Sequence, residues 1–140
     1  NAVWDPEAVK RVWDSSLEIH TVGLESTEEL PLTRDLCQHW AELRRYPAID
    51  LIGQGYALVL NVAANNVYYL WDVLTTVYCL HPEIAEVERV RCDVRVDGAA
   101  AGRTFRCDEG REVTLVTHAD PERFYALVDE LAMSAAPALY

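Results

Sequence analysis

The stretch LWDVLTTVYCLHPEIAEVERVRCDVRVD, residues 70–97, holds two periodicities back to back. From Leu70 onward Val73, Leu74, Val77 and Leu80 recur at helical spacing and share one side. Asp72, Thr75 and Thr76 fall on the other side, with Tyr68 and Tyr69 one turn earlier. After His81-Pro82 the period drops to two. Val90, Cys92, Val94 and Val96 point one way, and Arg89, Arg91, Asp93, Arg95 and Asp97 the other, the pattern of a half-buried strand with a charged outer face. A helix running into such a strand makes the fold class α/β.

Downstream, Asp97-Gly98 with residues 99–102 predicts a hairpin connection to a strand over 103–107. A third strand over 113–117 follows the turn at Asp108-Glu109-Gly110. Asp120-Pro121-Glu122 then starts a last helix, buried through Phe124, Tyr125, Leu127, Val128 and Leu131. Upstream, Asp5-Pro6-Glu7 uses the same formula, with Ala8, Val9, Val12 and Trp13 as the apolar stripe. A helix capped so soon after Asn1 reads as a chain that opens in the middle of a fold.

Between these ends, residues 18–25 alternate Ile19, Thr21 and Gly23 against His20, Val22 and Leu24, which predicts a strand. Thr33 caps the next helix, with Leu32 and Cys37 as a hydrophobic staple and Leu36, Cys37, Trp40 and Leu43 as its core face. His39 and Arg44-Arg45 fall on its solvated side and near its C-terminal end. Residues 49–62 are apolar on nearly every side, which predicts a helix buried deep in a protein, with Gly53 and Gly55 as close-packing positions. Residues 62–66 read as a loop whose Asn65 or Asn66 caps the helix after it. His20 reads as a strand-surface or packing residue, because no second ligand lies at metal-site spacing, and His118, just before the last helix cap, as a satisfied loop residue rather than a catalyst.

Twelve basic against twenty-three acidic residues give a net charge of -11, which repels phosphate backbones and anionic membranes. Nucleic acid and membrane are therefore not expected partners. Cys37, Cys79, Cys92 and Cys107 form no CxxC pair, so free thiols in a reducing cytoplasm are expected. There is no Gly-rich phosphate loop, GxSxG elbow or HExxH motif. Asp72 beside Trp71 reads either as a solvated acid on a helix stripe or as a site wall, with a carboxylate for a cation and an indole for an aromatic ligand.

Asn1-Ala2-Val3-Trp4-Asp5-Pro6-Glu7-Ala8, Val22-Gly23-Leu24-Glu25-Ser26-Thr27 with Leu32-Thr33, and Trp71-Asp72 together resemble the C-terminal half of a nucleoside hydrolase, across essentially all 140 residues. The hairpin over residues 87–105 and the final Asp-Pro-Glu-Arg-Phe helix are similar to the end of that family as well. The resemblance implies a Rossmann-like fold of which this is the C-terminal part, helices plus a β-hairpin on a mixed sheet edge, as one domain or part-domain. It also implies hydrolysis of the N-glycosidic bond of ribonucleosides by a water that Ca²⁺ activates. Carried over residue by residue, Asn1 holds ribose hydroxyls, Asp72 ligates Ca²⁺, and Trp71 stacks on the base as in the purine-specific branch. Tyr68 looks like the tyrosine of a loop that closes over substrate.

One departure is informative. The family's aspartate cluster, DxDxxxDD, does not occur in these residues. Because Ca²⁺ takes about 6–8 oxygen ligands, Asp72 needs others from a second chain or an N-terminal segment. The sequence therefore predicts an oligomeric or composite purine nucleoside hydrolase, and because residues 49–62 are apolar all round, an isolated chain that is poorly folded or self-associates. The alternative is a non-catalytic relative acting in assembly or ligand binding. An aspartate cluster upstream of Asn1, or in a co-purifying chain, separates the two.

Overall fold

Helix starts are written most plainly into the chain and are realised as written. In the computed structural model, which describes residues 1–62 and 67–134, helix α1 spans Pro6–Trp13, and the Asp5 carboxylate accepts the Ala8 amide at 2.9 Å. Helix α3, Arg34–Glu42, is capped by Thr33, which accepts the Leu36 amide at 3.1 Å. Helix α6, Pro121–Ala132, is capped by Asp120 on the Arg123 amide at 3.0 Å. Each cap satisfies one of the otherwise orphaned first-turn amides and is worth about 1 kcal/mol. Helices α2, Leu24–Thr27, α4, Pro47–Val62, and α5, Trp71–Leu80, complete the helical set among the described residues. Asn65 and Asn66 lie outside those residues, but neither caps α5 as expected, because α5 begins at Trp71 with Leu70 at its N-cap and no side-chain cap.

Four strands form one mixed sheet in the order β1-β4-β2-β3: β1 His20–Val22, β2 Ala85–Val94, β3 Thr104–Arg106 and β4 Arg111–Ala119. Strand β1 runs parallel to β4 with Thr21 opposite Leu115, and β2 is antiparallel to β3 with Asp93 opposite Phe105. The α/β class with a hairpin at the sheet edge is thus present. The predicted strand over 18–25 shortens to three residues, and the chain turns helical at Leu24. There Ser26 and Thr27 are buried while Leu24 is exposed, the reverse of a readable pattern.

The chain divides into two compact units. The first, Asn1–Gly23 with Val87–Thr117, is centred on Trp13, Ile19, Val90, Cys92, Val94 and Val113, and the Trp13 indole donates to the Cys92 carbonyl at 3.0 Å. Ala8 and Val12, expected in the stripe of α1, are exposed. So is Val96, because β2 ends at Val94. Arg111 closes the end of α1 by donating to the carbonyls of Val12, Trp13, Ser15 and Leu17. All four cysteines are free thiols.

The second unit, Leu24–Glu86 with the chain from His118 onward, buries Leu30, Trp40, Ile49, Leu70, Leu74, Phe124 and Leu127. Helix α3 packs on α4, and α6 packs on α4 and α5. Trp40 donates to Asp129 at 2.9 Å, and the His39 ring lies 2.6 Å from the other oxygen of that carboxylate, so one acid of α6 holds two neighbours of α3. His39 is therefore more than a solvated residue. His118 lies 2.8 Å from Glu29, whose second oxygen accepts the Ala119 amide at 3.0 Å. The largest departure from expectation is α4. Only Ile49 and Gly53 are buried in it, while Leu51, Leu58 and Val62 are 75%, 68% and 89% exposed. A Cβ on Gly53 would meet Trp40 at 3.2 Å, so this glycine does permit close packing, whereas Gly55 has nothing within 4 Å and does not.

Candidate functional site

The segment leading into α5 is extended rather than helical, and the physical reason is the stretch beside it. Leu32 donates its amide to the Tyr68 carbonyl at 2.8 Å and Leu70 donates to Leu30 at 3.1 Å, making an antiparallel bridge between Pro31 and Tyr69. The Tyr125 hydroxyl donates to the Pro31 carbonyl at 2.8 Å and ties α6 to the same bridge. Tyr68 and Tyr69 thus do not share a helical stripe with Asp72, as helical spacing suggested. Thr75 and Thr76 do, both exposed, and the Thr76 hydroxyl donates to the Asp72 carbonyl at 3.0 Å.

This clamp gathers rings. Tyr68 meets Trp71 edge to face, with centroids 4.5 Å apart and planes at 65°, while Tyr69 lies 6.1 Å from the same indole. An edge-to-face pair of this kind contributes about 0.5–1.5 kcal/mol beyond its buried area, enough to fix the orientation of Trp71. The series continues to Tyr56 of α4, 6.1 Å from Tyr68, and from there to Trp40 of α3 at 5.9 Å. Sequence reasoning missed Tyr56. Gly53 and Tyr56 stand three residues apart on α4 and both face Trp40, a spacing that pairs a gap with a ring.

Two buried side-chain atoms among the described residues lack a hydrogen-bond partner, Thr27 Oγ1 and Trp71 Nε1, and α2 packs against α5, which carries Trp71. Asp72 occupies the first turn of α5, where a carboxylate is favoured by the helix dipole, and its side chain is exposed. Among the described residues its carboxylate makes no hydrogen bond or ion pair. Burial pushes the Tyr56 phenol up, and the Tyr68 hydroxyl and the Asp72 carboxylate push it further, so Tyr56 keeps its proton beside this acid. Tyr68, Trp71 and Asp72 are therefore brought together in the second unit. Asn1 belongs to the first, where its carbonyl accepts the amides of Trp4 at 3.0 Å and Asp5 at 3.3 Å and so holds the turn into α1.

Ca²⁺ does not fit what these residues alone supply. The described residues contain no group of three or more His, Cys, Asp or Glu arranged for a metal, and Asp72 by itself falls short of the 6–8 oxygens the ion takes. None of the described helices is long and apolar enough to cross a membrane.

The profile of the family described as inosine-uridine preferring nucleoside hydrolase matches residues 1–126. The chain belongs to this family. The inosine-uridine preferring nucleoside hydrolase of Bacillus anthracis is 41% identical, with a TM-score of 0.84, over 94% of this chain and 42% of that one. The purine-preferring ribonucleoside hydrolase of Gardnerella vaginalis shares the fold at 21% identity and a TM-score of 0.73, over 94% of this chain and 46% of that one. An inosine-guanosine nucleoside hydrolase does so at 18% identity and 0.79, over 94% and 45%. The chain thus spans less than half the length of these solved relatives. Comparison with curated protein sequences gives no match.

Proposed function

We propose that this chain supplies the base-facing wall and one carboxylate of a site that hydrolyses the N-glycosidic bond of ribonucleosides, with purines preferred. The observation that carries the reading is Trp71. Its N–H is buried with no acceptor, its ring is braced by Tyr68, and the uncommitted carboxylate of Asp72 is the next residue. Stacking of a base on an indole is worth about 1–3 kcal/mol and increases with the area of the ring.

In the reaction, water gives its hydroxyl to the anomeric carbon and a proton to the departing base nitrogen, and the bond between that carbon and nitrogen breaks. Asn1 would hold ribose hydroxyls, Tyr68 would close over the nucleoside, and Asp72 would provide one ligand to a Ca²⁺ whose other oxygens come from outside these residues. Family membership, together with the juxtaposition of Tyr68, Trp71 and Asp72, supports the assignment.

The test is kcat/KM for inosine and uridine in the full protein, with Ca²⁺ content measured alongside. Asp72→Asn collapses turnover of both nucleosides and lowers bound Ca²⁺, while the melting temperature holds. Trp71→Ala costs inosine more than uridine. Full activity with unchanged Ca²⁺ in Asp72→Asn removes the metal-ligand role, and equal losses in Trp71→Ala remove the purine preference.

A further inference from the structure

The hairpin joining β2 to β3 carries a feature that nucleoside hydrolysis does not use. Beyond the register that sets Val94 opposite Thr104, the Arg95 amide donates to the Arg103 carbonyl at 2.9 Å and the Gly102 amide donates to the Arg95 carbonyl at 2.7 Å. With Gly102 at φ +85°, this is a glycine bulge in which Gly102 and Arg103 together oppose Arg95. Two guanidinium-bearing residues thus face one another across the ladder, an arrangement that repels unless an anion intervenes.

The other arginines of this region are committed. Arg89 pairs with Glu18 and Glu112, Arg106 with Glu88, and Arg91 and Arg111 bind main-chain carbonyls. Arg95 and Arg103 have no carboxylate partner among the described residues. The nearest acid along the strand, Asp93, is taken by Lys10 at 2.9 Å. Arg95 instead lies over the Phe105 ring, 5.3 Å from its centroid, which holds the guanidinium in place. Between the two arginines a cleft of about 600 Å³ opens, walled by Asp97, Phe105 and the small residues Ala99 and Ala100.

We propose that this cleft is a second ligand site and that it takes a phosphorylated sugar. With Asp97 in the same wall the cleft carries two cations and one anion, and a phosphate, at about -1.5 to -2 charges, can engage both guanidinium groups at once. Their planar forks match its oxygens. Asp97 is exposed and an acceptor only, so it can take the hydroxyl donors that a sugar offers. The Arg95 guanidinium already covers a face of Phe105, which leaves the sugar rather than a stacked base as the body of the ligand. The space exceeds a bare phosphate, and it is open: Arg95, Asp97 and Arg103 are all exposed, so the ligand's sugar stays in contact with water. None of Asn1, Tyr68, Trp71 or Asp72 takes part, so the site stands or falls separately from the hydrolase reading.

Isothermal titration of the full chain with ribose 5-phosphate, inorganic phosphate and ribose tests it. The phosphorylated sugar binds at least about tenfold more tightly than inorganic phosphate, and ribose alone gives no heat. Arg103→Gln, an exposed side chain whose loss leaves the hairpin's main-chain bonds intact, weakens ribose 5-phosphate about tenfold or more with an unchanged melting temperature. Asp97→Asn weakens ribose 5-phosphate and spares inorganic phosphate. No heat from ribose 5-phosphate at millimolar concentration, or wild-type affinity in Arg103→Gln, overturns the site. Equal affinity for phosphate and its sugar ester overturns the sugar assignment.

Discussion

Gly102→Ala is the most discriminating single substitution for the first unit. The residue sits at φ +85°, where an L side chain costs about 1–2 kcal/mol. A Cβ there would also lie 2.4 Å from Val3 Cα and 2.6 Å from the Ala2 carbonyl oxygen and the Val3 nitrogen. These are main-chain atoms that no rotamer change can clear, so the turn from Asn1 to Asp5 or the bulge must move by about an ångström, an overpacking cost of about 1–3 kcal/mol. The sum is roughly 2–5 kcal/mol, or a fall in melting temperature of roughly 6–15 °C. Gly98→Ala is the internal control. Gly98 has φ +70° but nothing within 4 Å, so it carries the conformational cost alone, about 1–2 kcal/mol. Thermal unfolding followed by circular dichroism compares the two, and KM for inosine reports whether displacing the turn that holds Asn1 disturbs the proposed ribose contact. Gly102→Ala melting within about 2 °C of Gly98→Ala would refute the steric argument.

Asp129→Ala strips the acceptor from Trp40, which is 1% exposed, and leaves a buried N–H unpaired. A loss of about 1–3 kcal/mol in urea unfolding is expected, with Asp129→Asn losing less because its amide oxygen still accepts. The contact between Glu29 and His118 makes stability depend on pH in a stated direction. Burial raises the Glu29 carboxyl, but the Ala119 amide and the His118 hydrogen bond outweigh it and bring it below 4.5, so its contribution is lost as pH falls. The hydrogen bond to Glu29, its charge, and the nearby Glu86 and Asp120 raise His118 above 6.5, against a small opposing effect of burial, so that contribution is lost as pH rises through the raised value. The melting-temperature gap between wild type and His118→Gln should be widest between about pH 4.5 and 6.5 and close as pH rises through the raised His118 value, and a gap that widens with pH refutes it. Leu51→Glu with Leu58→Glu on the open face of α4 should lower the sedimenting mass of the isolated chain without lowering its melting temperature. A wild-type chain that already sediments as a monomer would count against that.

Caps and alternation were legible because they are local. Asp5, Thr33 and Asp120 each bond an amide three residues away, and the face of β2 built from Val90, Cys92 and Val94 packs on Trp13 and Val113. Helix α2 was not legible, since it buries Ser26 and Thr27 and exposes Leu24. Residues 49–62 were read as a helix, and they are one, but its burial needs a cover that the described residues do not provide for Leu51, Leu58 and Val62. In the site, Trp71-Asp72 stood out as a dipeptide. The bridge from Leu30 to Leu70 and the ring of Tyr56 did not, because both depend on pairings across tens of residues that no local period records.

Arg111 fastens the end of α1 through the main-chain carbonyls of residues 12, 13, 15 and 17 alone, so it reads the path of the chain and is blind to its side chains. Drift in residue type at Ser16 and Leu17 should therefore pass almost unnoticed, whereas Ser15 also donates its hydroxyl to the Val12 carbonyl at 2.7 Å and accepts the Leu17 amide at 3.2 Å. Adding or deleting one residue there would shift the carbonyls of residues 15 and 17 relative to those of 12 and 13, out of register with a single planar guanidinium. Among homologues this loop should vary freely in letters at positions 16 and 17 and hardly at all in length.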